Sequence, residues 1–403
     1  MAVKLVIGSV PRGEDYFGRE RFIEQLWACL GTDNVLLLAP RRFGKTGAMC
    51  QLLDAPRAPF QPLYMDVEHL ESPADLIIEL LAALRQSNLF APIVNALWEG
   101  SKDFGRYLRG LVSQVDLGSL KVHMREETDV PVNWRAYGDR LMRLLVREDR
   151  RLLLLLDEFP IMVHHMSLRD PRELEQFMRW FRAVRVAPET TTRFLIGGSI
   201  NLVPTLDAIG LVDTVNDLAI QHLPPFDAGT AERFVVDAMT ANGVELPREV
   251  RGRIVAILGT PIPYLLSVLM TALLDRHRTS GAPITVEMVD DVFETELLGR
   301  TTPFFRHYYS RLQDYYPSDE ARQAKAILGL LSRSDSAVTR DTLYQAYLRV
   351  TGLQPVANTA EQFHQLMQKL ENDFYVLATA GGYEFSNRTI GLWWRNNYGF
   401  QTP

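Results

Sequence analysis

The sequence predicts an α/β fold, a parallel sheet with helices on both faces, and three observations carry that expectation. The first is an unbroken strand, loop and helix start, Asn34-Val-Leu-Leu-Leu-Ala-Pro-Arg-Arg-Phe-Gly-Lys-Thr-Gly-Ala-Met-Cys50. The second is Arg151-Leu-Leu-Leu-Leu-Leu-Asp157-Glu158, a run apolar on both faces, as in a strand sandwiched between helix layers. The third is the alternation of such strands with helical patterns through the first half of the chain.

Taken in order, Arg19 to Leu30 has helical spacing through Phe22, Leu26 and Leu30. The strand Val35 to Leu38 and a helix after Lys45 follow. Pro62 to Val67 reads as a second strand, and Ser72 caps a helix with Pro73 at its first position. Residues 103–132 are less regular and read as an insertion with a strand at Ser119 to Met124. Trp134 to Arg147 is an amphipathic helix leading into the acidic strand. A helix at Glu173 to Val186 precedes the apolar strand Arg193 to Ser199, and Phe226 to Arg276 is helical in pattern. The last hundred residues change character. Helices at Ala321 to Leu331, Asp341 to Val350 and Glu361 to Phe374 precede a hairpin, Tyr375 to Phe385, turned at Gly381-Gly382. A final helix carrying Trp393-Trp394, with Ile390, Leu392, Tyr398 and Phe400, is expected to dock on the core.

At 403 residues the chain has room for roughly two to three domains, each with its own core. Apolar residues at 47% and charged residues at 23% are ordinary for a soluble protein. A formal net charge of −6 argues against a general nucleic-acid binder. Cys29 and Cys50 lack metal-ligand spacing and read as buried apolar residues of a reduced compartment. His164-His165 has no cysteine or carboxylate at ligand spacing, which disfavours a metal role. Leu5 to Val10 is short and lacks a basic leader, and no apolar run approaches the roughly 20 residues of a membrane span. A cytoplasmic location is expected.

The loop Ala39-Pro40-Arg41-Arg42-Phe43-Gly44-Lys45-Thr46-Gly47 is a phosphate-binding loop whose usual first glycine is Ala39. Gly44 permits the tight turn that points backbone N–H groups at phosphate oxygens. The helix that follows adds its positive N-terminal end. Lys45 is placed to reach the β- and γ-phosphates of a nucleotide, and Thr46 to ligate Mg²⁺. A Gly-Lys-Thr triplet alone is weak; between an apolar strand and a helix it is strong. Ala39 is tolerable there if its φ is negative. Asp157 and Glu158 end a strand where open α/β sheets bind ligands. Asp157 is then the Mg²⁺ carboxylate, direct or through water, and Glu158 the base for the attacking water. A strand ending in a charged turn would look the same in isolation. Ser199 or Asn201, at the tip of the neighbouring strand, is a candidate contact for the γ-phosphate or that water.

Together with Tyr16-Phe17-Gly18-Arg19-Glu20, Leu156-Asp157-Glu158-Phe159-Pro160 and Ile196-Gly-Gly-Ser199, this loop resembles the AAA+/STAND-related ATPases. More narrowly it resembles the archaeal-type ATPase group, which also occurs in bacteria, over about residues 14–400. The resemblance implies a P-loop NTPase (AAA+-like) α/β core over 1–225, a helical lid over 226–300 and a C-terminal winged helix over 301–403. It implies that Phe17 and Gly18 help form the adenine pocket. Gly259-Thr-Pro261-Ile-Pro-Tyr264 resembles a Gly-x-Pro element that closes over the nucleotide, although an ordinary helix start reads the same. Relatives often carry a Gly-Arg pair before a Pro-Phe turn; Thr214 to Leu218 has no arginine, leaving Arg182, Arg185 and Arg193 as substitutes.

The implied cofactors are ATP and Mg²⁺. The implied activity is an ATPase that works as a molecular switch, with nucleotide state gating a protein partner or effector; a nucleotide-dependent homo-oligomer is compatible with it. The competing classes are a DNA-associated loader acting through the winged helix and a scaffold that binds ATP without turnover. DNA is the less favoured partner. The third C-terminal helix offers Gln362, Gln365 and Gln368 but one clear cation, Lys369. Residues 310–403 alone, and the full-length ATP-bound protein, should therefore bind duplex DNA with Kd no tighter than roughly 10⁻⁵ M at physiological salt. A sub-micromolar, salt-sensitive complex in an anisotropy titration would promote the loader.

Overall fold

The computed structural model describes residues 3–87, 90–97, 121, 126, 129–146, 149–199, 202–207, 209–299 and 303–399. The chain divides into two compact units. One comprises Arg19–Leu38 and Lys45–Leu223; the other comprises Met1–Gly18, Ala39–Gly44 and Pro224–Pro403.

The first unit is built on a five-stranded sheet. Its elements are α1 (Glu20–Leu30), β1 (Asn34–Leu38), α2 (Lys45–Asp54), β2 (Phe60–Asp66), α3 (Pro73–Gln86), α4 (Ala91–Leu97), α5 (Val130–Leu145), β3 (Arg151–Asp157), α6 (Phe159–Arg169), α7 (Pro171–Val186), β4 (Arg193–Gly198), α8 (Leu202–Asp207) and β5 (Leu218–His222). The strand order is β2-β3-β4-β1-β5, and every pairing is parallel. Leu36 lies opposite Ile196 on one side and Ile220 on the other, while Leu63 lies opposite Leu154. All of β1 is buried, as is β3 from Leu152 onward, which explains why both strands read as continuous apolar runs. Because all strands run one way, Leu38, Asp157 and Gly198 end at the same edge of the sheet.

Several expectations change here. The helix before the acidic strand begins at Val130 rather than Trp134. A helix, α6, follows Glu158 at once, started by Pro160 in its first turn. The edge strand β5 was not evident, because its Leu-Ala-Ile-Gln-His sequence buries only Leu218 fully. The strand expected at Ser119 to Met124 falls outside the described residues except for Lys121, which is helical. Ser72 does cap α3, accepting from the Asp75 N–H at 3.1 Å. Cys50 is buried, whereas Cys29 is partly exposed.

The second unit continues with α9 (Ala228–Ala241), α10 (Arg248–Leu258), α11 (Pro263–Ser280) and α12 (Val286–Val292). Then come α13 (Pro303–Tyr315), α14 (Ser318–Ser332), α15 (Arg340–Thr351), α16 (Ala357–Asn372), β6 (Val376–Thr379), β7 (Gly382–Phe385) and α17 (Arg388–Tyr398). Asp227 caps α9 by accepting from the Thr230 N–H. The helices α14, α15 and α16 followed by the antiparallel β6–β7 pair have the expected order of three helices and a hairpin. The hairpin turns at Ala380-Gly381, one residue earlier than expected, since Gly382 already pairs with Thr379. Gly382 has φ 132°, and a Cβ there would run into the Val338 carbonyl. Trp393 and Trp394 are each 1% exposed, as core packing requires. No helix among the described residues is long and apolar enough to cross a membrane.

One glycine sets how closely the sheet end can pack. A Cβ on Gly197 would strike the Met49 terminal methyl and lie 3.2 Å from Asp157 Oδ1. Gly197→Val should overpack this point and lower stability by about 1–3 kcal/mol, read from the denaturant midpoint at constant m-value.

Candidate phosphate-binding and acid–base site

The carboxyl edge of the sheet gathers the residues that the motifs single out. α2 begins at Lys45, which holds its side chain at the strand ends with 5% of its surface exposed. Its ammonium lies 3.7 Å from Glu158 Oε1. The Thr46 hydroxyl donates to Asp157 Oδ2 at 2.6 Å. Ser199, following β4, donates to Glu158 Oε2 from both its N–H, at 3.1 Å, and its hydroxyl, at 2.9 Å. Lys45, Thr46, Asp157, Glu158 and Ser199 thus form one connected cluster. Ser199 stands beside the acidic strand as the sequence implied, but its partner is Glu158. Asn201 lies outside the described residues.

Backbone geometry aims Glu158. It adopts a left-handed conformation, φ 55° and ψ 30°, between β3 and α6. Such a conformation costs a non-glycine residue on the order of 1–3 kcal/mol and is kept where surrounding contacts fix it. Here the ties to Ser199 and Lys45 do so. Asp157 is 3% exposed, and burial pushes its carboxyl above the ordinary carboxylate range. Lys45 and the Thr46 hydroxyl oppose that rise, and Glu158 adds to it.

Tyr64 belongs to the same cluster and was missed. Its hydroxyl donates to Asp157 Oδ2 at 3.1 Å, and burial with the nearby Asp157 pushes its own pKa well up. No local pattern announced it: Tyr64 sits two residues before Asp66, and only the β2–β3 register places Asp66 opposite Asp157. A hard divalent cation such as Mg²⁺ takes oxygen donors. The Thr46 hydroxyl and Asp157 carboxylate are oxygens already side by side, so the donor set fits Mg²⁺.

The second unit carries the rest of the loop. Arg42 and Gly44 have φ of 69° and 103°, while Ala39 is not among the residues with positive φ, so the condition on its replacing glycine is met. A Cβ on Gly44 would lie 3.1 Å from the Tyr16 ring. The Arg42 guanidinium stands 4.9 Å from the Tyr264 ring centroid and donates to the Ile7 carbonyl. Arg41 Nη1 lies 2.8 Å from His307 Nε2 on α13. Pro40 accepts from the Phe43 N–H, and Phe43 is 6% exposed. Gly47, in the first unit, is buried within α2.

Phe17 packs against Phe234 and Phe226 at ring distances of 5.4 and 6.4 Å. Gly18, at φ 65°, lets the chain pass against the Thr230 methyl group. Phe226 donates its N–H to the Pro261 carbonyl, so Phe17, Gly18 and Pro261 converge around α9. Tyr16 and Tyr264 lay within the quoted motifs without a role of their own, and His307 had no local pattern to announce it.

The substitute arginines are engaged within the chain. Arg185, 3% exposed, grips Asp217 through two nitrogens at 2.9 Å. Arg182 donates to Asn216 and Arg193 to the Thr32 carbonyl. Among the described residues no group of acids, histidines or cysteines could hold a metal ion by itself, His164-His165 included.

No protein-family profile matches the chain, and no curated protein matches it. Solved structures do. A Walker-type ATPase of Pyrococcus abyssi superposes with a TM-score of 0.64 at 16% identity, covering 97% of this chain and 99% of its own. The fold is that of a Walker-type ATPase. The ORC2 protein of Aeropyrum pernix, solved with ADPNP and ADP, gives a TM-score of 0.55 at 14% identity over 95% of this chain and 92% of its own. The P-loop α/β fold read from the motifs is therefore present, and the likeness extends along nearly the full chain.

In this Walker-type fold the buried Asp157 gives a pH test. Its folded pKa is raised, so its ionisation costs folding free energy as pH climbs from the ordinary carboxylate value through the raised one. Asp157→Asn keeps an oxygen for the Thr46 and Tyr64 donors. The variant's melting temperature, measured without nucleotide, should equal the parent's below that window and exceed it above.

Proposed function

We propose that the protein binds ATP with Mg²⁺ and hydrolyses it, and that nucleotide state gates a surface for a protein partner. The observation that carries this reading is the cluster at the sheet edge. It combines a buried ammonium, a hydroxyl–carboxylate pair at 2.6 Å and a second carboxylate held by Ser199. A Lys buried among carboxylates at a helix start is suited to a polyanion, because phosphate oxygens satisfy its remaining donors. Thr46 and Asp157 would hold the metal; Mg²⁺, when bound, offsets phosphate charge and draws electrons from the terminal phosphorus.

The chain's own residues then divide the work. Lys45 and the N–H groups of residues 41–46 orient the β- and γ-phosphates. Glu158 accepts the proton of the attacking water as its oxygen bonds to the γ-phosphorus and the bond to the β-bridging oxygen breaks. Ser199 fixes the Glu158 carboxylate and keeps it away from competing partners. Tyr64 fixes Asp157. Phe17, Gly18 and Pro261 are the proposed contacts of the adenine.

We assign residues 1–225 to the ATPase core, 226–300 to a lid and 301–403 to a winged-helix module, in a cytoplasmic protein that can form a nucleotide-dependent homo-oligomer. DNA loading is the weaker reading for a specific reason. Lys369, the clear cation of α16, is paired with Glu320 at 2.9 Å and lies over the Tyr316 ring. Little of its charge remains for phosphate neutralisation.

Two substitutions separate binding from chemistry. Lys45→Ala should weaken ATP binding about tenfold to a hundredfold, the weight of one charge-assisted contact of roughly 1.5–3 kcal/mol. Glu158→Gln should leave ATP affinity within about threefold while single-turnover hydrolysis falls about 10²–10⁴-fold. Unchanged ATP affinity in the lysine variant would sink the site assignment, and unchanged turnover in the glutamine variant would remove Glu158 as base.

A further inference from the structure

The second unit contains a cavity that the proposed ATPase does not use. It has a volume of about 590 Å³ and lies among α13, α14, α15 and α17. Its wall carries the cations Arg322, Lys325 and Arg349 and the rings of Tyr309, Trp394 and Tyr398. Among the described residues no carboxylate lines it, in a chain whose formal net charge is −6. The concentration of cations is therefore local and sits on a different set of residues from Lys369 of α16.

The rings form a preassembled surface. Tyr309 and Tyr398 stack at 3.8 Å with 9° between their planes, and Tyr309 meets Trp394 at 5.2 Å. Trp394 is 1% exposed, so this surface is anchored in the core. The cations are less well served. Lys325 holds its ammonium 4.1 Å from the Tyr309 ring centroid, and burial draws its pKa below the ordinary lysine value. Arg322 has an exposed pair with Asp319 at 3.2 Å. Surface pairs of that kind contribute little and exchange readily for a better anion.

These features select a ligand class. Its described lining is cationic and aromatic, which disfavours a divalent cation, a ligand that needs hard anionic oxygens. A purely apolar ligand would leave the cations without counter-charge in a partly desolvated space. Two arginines, one from α14 and one from α15, match the planar, forked recognition of phosphate. A flat ring suits an aromatic wall, and the Gln313 amide supplies both a donor and an acceptor for a ring edge. The volume is within the range of small-ligand sites. We propose that this cavity is a second ligand site, independent of the phosphate loop, for a 5′-phosphorylated nucleoside. That chemistry occurs both in a free mononucleotide and at the 5′ end of a nucleic-acid strand.

The test uses the full-length protein carrying Lys45→Ala, with 8-azidoadenosine 5′-monophosphate as a photo-crosslinking probe. Mapping the labelled peptides distinguishes this site from the phosphate loop whatever the lysine variant leaves behind. The expected result is label within 303–326 or 388–398, reduced about tenfold or more by Arg349→Ala and by Lys325→Gln, as for loss of one charge-assisted contact. Both variants should keep the parent's unfolding midpoint. Competition then separates the sources. Displacement by AMP at lower concentration than by a 5′-phosphorylated single-stranded oligonucleotide supports the free nucleotide, and the reverse supports a strand end. Label confined to peptides containing residues 39–47, or no label at millimolar probe, would overturn the proposal. So would equal displacement by a glutamate-rich peptide, because recognition would then rest on charge alone.

Discussion

Lys45 holds its ammonium 3.7 Å from Glu158 with 5% of its surface exposed, and Asp157 is buried beside it. Removing a charge from water costs several kcal/mol unless partners replace the lost hydration. Two carboxylates face one ammonium, an excess of negative charge, and burial raises the pKa of Asp157 with Glu158 adding to the rise. A nucleotide triphosphate entering alone would add to that excess, whereas a divalent cation offsets it. Under the proposed function the strain of that excess charge would couple metal binding to nucleotide binding. The hydrogen bonds from Thr46 and Tyr64 to one oxygen of Asp157 are the local answer to that strain.

Much of this was legible in the sequence because it is local. An apolar strand followed by Gly44-Lys45-Thr46 at a helix start sets its own geometry, and the run ending in Asp157-Glu158 does likewise. The parallel sheet then brings the two together, since strands sharing a direction must end at a common edge. What was not legible depends on contacts between distant residues. Tyr64 reaches Asp157 only because β2 pairs with β3 in one register, and a slip of one residue would turn its side chain to the opposite face. His307 meets Arg41 across 266 positions, and no periodicity encodes such a pair. The edge strand β5 escaped notice because an edge needs less apolar sequence than a central strand.

Charge distribution in the C-terminal part separates two surfaces that share one module. The helix that would enter a DNA groove has its main cation neutralised by Glu320, and its remaining polar residues are glutamines. The cations of α14 and α15 instead line a cavity with aromatic walls. Net charge alone would have hidden this, since −6 is an average over both.

The phosphate loop is divided between the two units. Its first residues, Ala39–Gly44, pack with the second unit, whereas Leu38 before them and Lys45 after them belong to the first. Arg42 is held in a left-handed conformation, with its guanidinium over Tyr264 and bonded to the Ile7 carbonyl. Glu158, the other left-handed residue of the candidate site, is held by Ser199 and Lys45. Each conformation costs on the order of 1–3 kcal/mol and persists only while its contacts do. A phosphate that draws Lys45 away from Glu158 removes one of those contacts and moves the residue covalently next to Gly44. A nucleotide switch needs differential contacts in its two states rather than distance alone. Under the proposed function the Lys45–Glu158 pair, at 3.7 Å, would be such a contact, since a bound phosphate would compete for the same ammonium.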